Sequence, residues 1–316
     1  LMPRDAILTT HNLTVRGETD DYDDVILDGQ MEFDDSNLNF RTHIGAPALI
    51  KITHASHVTI ANLTIANNSK YGILFFGDGR VNNLNIYNLK FHNNWARGLK
   101  GTNACAIDDQ RTELADYDIK SVDHINYGRP HNGQVRYCLF TADTPKRNDQ
   151  DGYDGDYIAG MDLMFLSDWT IADNTFIGIR GKNGGGRGAI FIWHDSENVR
   201  VENNHFHHCD RAISLGNPVA KERGYYHIQD SVVDQNTIIG GANFAIEVDY
   251  GKNIEITANK ISSEIRTDYP AISVRDISDS ALVKNNTIKS NGNEAISCDE
   301  NVTLEENHLA EVLRIL

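Results

Sequence analysis

Residues 180–194, RGKNGGGRGAIFIWH, place basic side chains inside a glycine-rich segment of a strongly acidic chain. Five glycines and three cations occupy the first nine positions, and the cations are Arg180, Lys182 and Arg187. The 316 residues include 45 Asp and Glu against 29 Lys and Arg, which gives a net charge of −16. Because the overall field repels anions, a local group of cations indicates a binding site for an anionic ligand.

The same segment and its neighbours carry side chains that bind carboxylates and transfer protons. Arginine pairs with a carboxylate through two parallel hydrogen bonds, and Arg187 and Arg211 are candidates for this role. Lys182, His194 and Tyr157 are candidates for proton transfer, because Lys, His and Tyr act as acids or bases when their surroundings adjust their pKa values. The glycines let the loop backbone approach a ligand closely.

Other interpretations of the glycine-rich segment stay open. It can be an ordinary flexible turn, and His194 can be an ordinary surface histidine. A phosphate-binding loop is disfavoured, because the string GKNGGGRG lacks the order G-x4-G-K-[ST] and no helical pattern follows it.

An acidic segment, NDQDGYDGDY at 148–157, is a candidate cation site. Its four closely spaced carboxylates suit Ca²⁺, which prefers oxygen ligands. The four are Asp149, Asp151, Asp154 and Asp156. The spacing does not match an EF-hand loop, and a solvated acidic turn or a loop that presents Tyr153 and Tyr157 are the alternatives. Ca²⁺ is therefore a possible cofactor, and the sequence indicates no other.

A recurring phrase sets the positions of these groups: an apolar alternating strand, an Asn and a second short strand. Examples are HVTIANLTI at 57–65, NVRVENNHF at 198–206 and NIEITANKI at 253–261. The Asn residues are 62, 88, 174, 204, 236, 259, 286 and 307, at intervals of 26, 86, 30, 32, 23, 27 and 21. Apart from the long interval, this spacing is typical of one turn of a solenoid plus its loops. Asn suits such a bend because it tolerates left-handed backbone and can form a stacked hydrogen-bonded ladder.

A second phrase alternates with the first, and each copy begins with a small residue followed by strand-like alternation. The copies start at 72, 98, 160, 189, 212, 245, 271 and 295. No helical period lies between them, so the two phrases together predict an all-β fold, a right-handed parallel β-helix of about ten coils. Residues 1–45 are expected to form an N-terminal cap or first turn. Residues 46–316 are expected to form the parallel β-helix domain, and the two together make a single structural domain. Extra residues at 103–134 and 141–159 are expected to form long loops on one face.

These two phrases, over about residues 45–310, resemble the right-handed β-helix family of carbohydrate-active proteins. The family includes pectate, alginate and chondroitin lyases, polygalacturonases and mannuronate epimerases. The resemblance implies an anionic polysaccharide as the partner, and it specifies the fold better than the chemistry.

Alternation within the second phrase predicts which side chains point away from the core. The third and fifth positions form one strip along the stack, and loop cations lie at its entrance. The strip and its loops give the candidate substrate-binding residues Lys100, Asp162, Arg180, Phe191, Trp193, Arg211, Glu247 and Asp249. Aromatic rings flanked by charges are typical of a sugar-binding floor. The alternative is that loops cover the strip and Trp193 belongs to the core.

For a uronate polymer, the resemblance implies β-elimination or C5 epimerisation. Both need the carboxylate neutralised and the C5 proton removed, which gives Arg187 and Arg211 as clamps, Lys182 as the base, and Tyr157 or His194 as the proton donor. The epimerase signature YG-x-DPH is absent, and the nearest strings are DGYDGD and IWHDS. Residue types therefore do not separate a lyase from an epimerase.

Two rival functions stay open. A hydrolase would need two carboxylates that flank one bond; Glu247 and Asp249, two residues apart on one strand and so about 6.5 Å apart, are possible, whereas Asp162 lies several strands away. A β-helix can also bind carbohydrate without catalysis, as an adhesive surface protein. Products with a new double bond would favour a lyase over either rival.

Composition bears on partners and location. The negative charge argues against nucleic acid and anionic membrane surfaces as partners, and no apolar run reaches membrane-spanning length. Cys105, Cys138, Cys209 and Cys298 lack metal or redox spacing, so we expect unpaired thiols or at most one bridge. A polymer substrate predicts a secreted or periplasmic protein, and the acidic surface predicts a monomer.

Overall fold

The computed structural model describes residues 6–30, 48–77, 81–102, 129–146, 158–218, 226–263, 268–290 and 294–310. The regular elements of these ranges are all β-strands. In chain order they are β1 (Ala6–Leu8), β2 (Thr14–Arg16), β3 (Ile26–Asp28), β4 (Ala48–Ile52), β5 (Thr59–Ala66), β6 (Tyr71–Phe76), β7 (Asn85–His92), β8 (Arg97–Thr102), β9 (Gln134–Arg136), β10 (Leu139–Thr141), β11 (Ala159–Met164), β12 (Ser167–Ala172), β13 (Thr175–Ile177), β14 (Gly188–Trp193), β15 (Ser196–Glu202), β16 (His205–His207), β17 (Ile213–Leu215), β18 (Ile228–Asp234), β19 (Thr237–Ile239), β20 (Ile246–Asp249), β21 (Gly251–Thr257), β22 (Lys260–Ser263), β23 (Ile272–Arg275), β24 (Ala281–Lys284), β25 (Thr287–Ser290), β26 (Ile296–Cys298), β27 (Val302–Glu305) and β28 (His308–Ala310).

The strands wind into a parallel β-helix with three faces. One face is a ten-stranded sheet in the order β1-β4-β6-β8-β11-β14-β17-β20-β23-β26, one strand from each coil. The other two faces belong to one eighteen-stranded sheet, because the long strands β5 and β7 pair with strands of both. Adjacent strands are parallel, as in β11 against β14. The predicted fold class and its ten or so coils are confirmed.

The core lies inside the coils and is built from rows in which like side chains of successive coils stack on one another. Buried Ile, Leu and Val fill most positions, and a row of four phenylalanine rings runs through successive coils. The rings of Phe91, Phe140, Phe176 and Phe206 stack with centroid separations of 4.5, 4.8 and 4.9 Å. Like side chains in register bury apolar area at every coil, and this is why the repeat is visible in the sequence.

The Asn residues form the expected ladder, but they occupy two positions in their coils, one residue apart, which we call the earlier and the later frame. From Asn174 onward each buried side chain donates through Nδ2 to the Oδ1 of the next rung, at 3.0 to 3.1 Å. The rungs are Asn174, Asn204, Asn236, Asn259, Asn286 and Asn307. Asn62 and Asn88 lie one position earlier in their coils, and Asn88 donates to Asn62 at 3.0 Å.

In the earlier frame, the Asn of the ladder itself makes the left-handed bend. Asn62 and Asn88 have φ of 56° and 48°, whereas in the later coils the residue before the rung takes this conformation, as Asp173 does with φ 59°. The expectation that one Asn both bends the chain and forms the ladder is therefore wrong for the later coils. Two neighbouring residues share the tasks there: one makes the bend and the next, an Asn, forms the rung.

The long interval between Asn88 and Asn174 contains a further coil that the Asn spacing did not reveal. Its strands β9 and β10 pair with β7 on one side and with β12 and β13 on the other. Cys138 stands at the rung position: its backbone N–H donates to Asn174 Oδ1 at 2.9 Å, and its Sγ accepts from the Leu89 N–H at 3.5 Å. A sulfur in place of an amide hid this coil from the Asn pattern.

The N-terminal residues that the structure describes, 6–30, supply β1, β2 and β3. These strands pair in parallel with β4 and β5. Of the cysteines in the described ranges, Cys138 and Cys209 are buried and unpaired, and Cys298 is half-buried and unpaired. Cys105 lies outside the described residues. No helix in the described ranges is long and apolar enough to cross a membrane.

Candidate functional site

The outer side of the ten-stranded sheet carries the strip that alternation predicted. Strand register aligns Lys100 with Asp162, Asp162 with Phe191, and Ser214 with Glu247. Ile190 and Ile192 join the interior core, while Phe191 and Trp193 pack outside it with Ala159 and Met164. The predicted side-chain directions are confirmed.

The strip is nevertheless not an open floor. Asp162, Phe191, Glu247 and Asp249 are each exposed by 2% or less, and Trp193 by 7%. Alternation tells which side of a strand a residue lies on, but it carries no information about what else packs there. Trp193 therefore lies outside the interior core, as predicted, but is buried, as the alternative interpretation held.

One charge cluster, named here the Asp162 cluster, comprises Arg97, Lys100, Asp162 and Trp193. Asp162 Oδ2 accepts from Lys100 Nζ at 2.7 Å and from Arg97 Nε at 3.1 Å. Its Oδ1 accepts from Trp193 Nε1 at 3.1 Å. Three donors on strands β8 and β14 thus hold one buried carboxylate on β11. Their hydrogen bonds and charges offset the cost of burying this carboxylate.

Burial and charge act in opposite directions in this cluster. Burial tends to raise the pKa of Asp162, but the charges of Lys100 and Arg97 outweigh it and hold the pKa below its usual value. Burial lowers the pKa of Lys100 to about 8; Asp162 opposes this change and Arg97 adds to it. The result is an ionised acid beside an amine that can lose its proton near neutral pH.

A second cluster, named here the Glu247 cluster, comprises Arg211, Glu247, Asp249 and Arg275. Arg211 Nη1 lies 3.1 Å from Glu247 Oε2, and Arg275 Nη2 lies 2.7 Å from Glu247 Oε1. The same Nη2 lies 3.1 Å from Asp249 Oδ1. Both guanidinium groups stack over the Phe244 ring, at 5.3 and 5.6 Å. Since three strand spacings separate β11 from β20, the two clusters are roughly 14 Å apart.

Asp249 is an acid of the Glu247 cluster whose surroundings disfavour its ionised form. Burial and the neighbouring charge of Glu247 raise its pKa to about 7, although Arg275 and Arg211 oppose the change. Its Oδ2 is buried and accepts no hydrogen bond. A carboxyl group in these surroundings can take a proton at neutral pH.

The glycine-rich loop is held by a carboxylate of the chain itself. Asp210 Oδ2 accepts from the backbone N–H groups of Gly181 and Gly186, at 2.8 and 3.1 Å. Two backbone amides of the loop therefore bind a carboxylate of the protein itself, that of Asp210. Gly184 takes a φ of +80°, a conformation that other residues adopt at a cost.

The cations of this loop differ in accessibility. Lys182 is exposed, and Arg180 and Arg187 are half-buried. The Arg187 carbonyl accepts from Arg211 Nη1 at 3.4 Å, which places the loop beside the Glu247 cluster. The other partners of Arg211 are Glu247 and Asn243. Its guanidinium group therefore binds a carboxylate of the protein itself and is not an open clamp for a ligand.

His194 lies in a buried aromatic group at the end of β14. Its ring stacks on Trp193 and Phe165, with centroids 3.5 and 5.3 Å apart. His227 lies 6.0 Å away, and its Nδ1 accepts from the Asn217 N–H at 2.8 Å, so its ring proton is on Nε2. The alternative that His194 is an ordinary surface histidine is wrong, because the residue is 5% exposed and both Trp193 and Phe165 pack against its ring.

Comparison with known families identifies the architecture. The profile described as "Right handed beta helix region" matches residues 25–206, 125–265 and 189–312. The chain belongs to the right-handed β-helix family. By sequence, no curated protein gives a significant match.

Solved β-helix structures resemble this one at low identity. The A-module of the mannuronan C-5 epimerase AlgE6 from Azotobacter vinelandii superposes with a TM-score of 0.54 and 13% identity, covering 98% of this chain and 73% of that one. The corresponding module of AlgE4 gives 0.48 and 13%, with 98% and 72% covered. PfbA, a surface adhesin of Streptococcus pneumoniae, gives 0.41 and 14%, with 84% and 62% covered. At 13% identity, the likeness to the AlgE6 module shows a shared fold.

Some of the predicted residues of this β-helix cannot be placed. Tyr157 and the four candidate Ca²⁺ ligands Asp149, Asp151, Asp154 and Asp156 lie outside the described residues. Within the described ranges, no three His, Cys, Asp or Glu side chains are arranged to hold a metal ion. The calcium hypothesis stays a prediction.

Sequence reasoning missed several residues of the β-helix that the clusters depend on. Arg97 is the first residue of the strip strand β8, directly before the phrase that starts at 98, and Arg275 holds a fifth strip position, so both had a signal in the repeat. His227 and Phe244 had none, because each reaches its cluster from a turn between strands.

Proposed function

We propose that the protein binds a uronate-containing polysaccharide on the outer side of its ten-stranded sheet and removes the C5 proton of a bound uronate. Departure of the 4-oxygen would then give β-elimination, and return of the proton to the opposite face would give epimerisation. The observation that carries the proposal is Lys100, an amine of lowered pKa held against an ionised acid on this side of a chain of net charge −16.

Anion binding is supported by the cations beside the strip. Arg187 and Lys182 lie on the loop before β14, which is two strands from the Lys100 strand β8. Arg275 is 42% exposed at the end of β23, five strands from β8, and would meet a different sugar of the polymer. Guanidinium groups recognise carboxylates with two parallel hydrogen bonds. Neutralising the uronate carboxylate makes the adjacent C5–H more acidic, which is the first requirement of the reaction.

Lys100 is the better base of the two lysines considered. Its pKa of about 8 leaves part of the population uncharged near neutral pH, as a general base requires. Its side chain is 10% exposed, so it is more accessible than the fully buried Asp162. Lys182 stays the alternative, because it is exposed on the loop.

The elimination step has a definite proton balance. The C5–H bond breaks and its proton passes to the lysine amine; its electrons form the C4–C5 double bond as the C4–O bond breaks. A proton donor then protonates the leaving oxygen, and His194 and Tyr157 stay the predicted donors. Epimerisation uses the same first step, without breaking the C4–O bond.

A panel of polyuronates and glycosaminoglycans, with and without chelator, tests the proposal. Elimination gives fragments with an ultraviolet-absorbing double bond and no added water. Epimerisation leaves the chain length unchanged and introduces deuterium at C5 in D2O. No change of mass, absorbance or deuterium content across the panel would refute the proposal, and a loss of turnover with chelator would support the calcium hypothesis.

Matched lysine variants assign the base. If Lys100 is the base, Lys100→Met keeps polymer binding and loses turnover by orders of magnitude, while Lys182→Ala is affected mainly in binding. Lys252→Met, on the neighbouring face in β21, serves as the control. Full turnover in Lys100→Met together with loss in Lys182→Ala would reverse the assignment.

Hydrolysis is a second candidate, supported by one observation. Arg275 Nη2 contacts both Glu247 and Asp249, at 2.7 and 3.1 Å. The contacted oxygens are therefore no more than about 6 Å apart, close to the roughly 5–5.5 Å of retaining glycosidases. The raised pKa of Asp249 suits a general acid. Fragments that have gained one water per cleavage would favour this candidate.

A polymeric substrate also bears on location and assembly. Such polymers lie outside the cytoplasm, so the proposal includes a secreted or periplasmic location and a monomeric state. Fractionation of the native host and light scattering of the purified protein test these two points.

A further inference from the structure

The Glu247 cluster has as many carboxylates as guanidinium groups. Glu247 and Asp249 face Arg211 and Arg275, and the exposed Asp276 follows Arg275 in the chain. With all four buried or half-buried groups ionised, the cluster is neutral, and Arg187, which faces Arg211, and Asp276, which faces Asp249, add one charge of each sign. One more carboxylate would leave three negative charges against two positive ones in a poorly hydrated place, which is unfavourable.

Arg275 is the member of the cluster that a ligand can reach. Its side chain is 42% exposed, whereas those of Glu247 and Asp249 are exposed by 2% and 1%. It contacts both acids through Nη2. The neighbouring Tyr269 is 43% exposed, and its ring packs edge-on against Phe244 with centroids 4.9 Å apart.

Asp249 offers a place for a compensating proton. Its Oδ1 faces Arg275, while its Oδ2 is buried and accepts no hydrogen bond. A proton on Oδ2 would displace no hydrogen bond of that oxygen, and by neutralising Asp249 it would weaken the attraction between Asp249 and Arg275. Glu247 lacks this freedom, because Arg211 and Arg275 occupy both of its oxygens.

We infer that Arg275 is a carboxylate-binding subsite whose occupation is coupled to the uptake of one proton by Asp249. The ligand class is the uronate carboxylate, so the inference rests on the proposed function for its ligand. It does not rest on catalysis. Binding of this group is strong when Asp249 is protonated and weak when Asp249 is ionised.

The expected size of the effect follows from the surroundings of Asp249. With a pKa of about 7, Asp249 is mostly protonated at pH 6 and mostly ionised at pH 8. If only the protonated form binds, the apparent Kd of a uronate rises about tenfold between these pH values. Proton uptake per bound ligand is then close to zero at pH 6 and close to one at pH 8.

Galacturonate is a suitable probe, because a monosaccharide has no glycosidic bond to cleave, and galactose is its neutral match. Titration followed by NMR gives Kd, and calorimetry in two buffers of different ionisation enthalpy gives proton uptake. Wild-type protein should show the tenfold change, Asp249→Asn should bind at pH 8 as tightly as at pH 6, and Arg275→Gln should lose binding at both.

The control is Asp279→Asn, which removes one exposed acid from the turn after β23 and should behave as the wild type does. Thermal unfolding checks that Asp249→Asn remains folded. An unchanged pH dependence in folded Asp249→Asn, equal binding of galactose, or no galacturonate binding at pH 6 would overturn the inference. Turnover on the polyuronate panel is a separate measurement, so failure of either idea can be told from failure of the other.

Discussion

At the scale of single residues, the buried charges of the protein lie in contact with one another, and neighbouring charges shift one another's pKa values. Lys100 is held at a pKa of about 8 by burial, and the positive charge of Arg97 contributes to this low value. Arg97 is 2% exposed and contacts Asp162, so it acts on the reaction only through Lys100 and is a positioning residue.

The pH profile of the proposed reaction should therefore respond to Arg97. A base must be uncharged, so kcat/KM is expected to rise with pH through about 8 in the wild type. Arg97→Gln removes a positive neighbour, which raises the pKa of Lys100 and moves the rise to higher pH. Arg200→Gln, at an exposed ion pair with Glu202, should leave the profile unchanged. An unshifted profile in folded Arg97→Gln would contradict Lys100 as the base.

The residues of the site could be predicted only in part. The two-residue period of a strand was enough to align Lys100 with Asp162 and to place Phe191 and Trp193 outside the core. Burial was not predictable, because it depends on groups that are distant in sequence. The internal partner of the glycine-rich loop, Asp210, lies 24 residues after Gly186, and no spacing rule joins them.

At the scale of elements, the Asn ladder links the turns of successive coils. Asn204 accepts from the backbone and side chain of Asn174, and it donates to Asn236 and to the Ile171 carbonyl. Each of these groups is buried, so removing the amide leaves several of them without partners.

Asn204→Ala should therefore lower the free energy of unfolding by about 3 kcal/mol or more, since each unsatisfied buried group costs roughly 1–3 kcal/mol. Denaturant unfolding measures the change. Glu255→Ala, on the exposed side of β21, should change it by less than about 0.5 kcal/mol. A loss as small as that of the control would show that the ladder is not a major source of stability.

Lys146 is an element-scale case in which burial works against stability. It lies at the turn that pairs with Gly181, and its Nζ donates to the Asn94 carbonyl beside Phe91, Phe140 and Ile158. Burial lowers its pKa to about 7. The unfolded chain binds this proton more tightly, so the energetic penalty is complete below pH 7 and shrinks as pH rises towards 10.5.

Lys146→Met should raise the free energy of unfolding by as much as ~4 kcal/mol at pH 6, and by much less near pH 10. Thermal or denaturant unfolding across this pH range measures the difference. The exposed Lys289→Met should show no comparable pH-dependent gain. A gain that stays constant with pH would mean that protonation of Lys146 is not its cause.

Two features of the elements were beyond the sequence pattern. The coil of β9 and β10 has Cys138 where other coils have Asn, so a search for Asn passes over it. The two Asn frames differ by one residue in the sequence, since Asn62 follows Ile60 by two positions and Asn174 follows Ile171 by three, but only the backbone shows that Asn62 makes the bend itself.

At the scale of the whole molecule, net charge and local charge act on a polyanion in opposite senses. The chain carries −16 overall, while exposed and half-buried cations gather beside one sheet. Long-range repulsion is screened by salt more strongly than contacts within the site.

The association rate constant for a polyuronate should therefore rise with added salt over about 10 to 150 mM, as the Debye length falls from ~30 to ~8 Å. This is the opposite of the behaviour of a basic protein. Stopped-flow fluorescence with polygalacturonate measures the rate, and the methyl-esterified polymer, which has lost its charges, should be nearly insensitive. A steep fall of the rate with salt would contradict this account.

The overall architecture was the most predictable property. A solenoid repeats its local contacts in every coil, so periodic phrases such as NVRVENNHF at 198–206 reveal the fold without any long-range information. The site has no such redundancy. Arg275 and Phe244 each occur once, and their meeting depends on the exact lengths of the turns between strands.

The Asn ladder has a direction, and this has a consequence for how the molecule is made. Each amide donates towards the C-terminus, from Asn174 through Asn204 and onward to Asn307. From Asn174 onward, a chain that leaves the ribosome N-terminus first presents its newest rung as a donor awaiting the acceptor of the coil still being synthesised, whereas in the earlier coils Asn88 donates back to Asn62. The ladder can thus act as a template for vectorial assembly, in which the order of translation and the order of coil addition coincide.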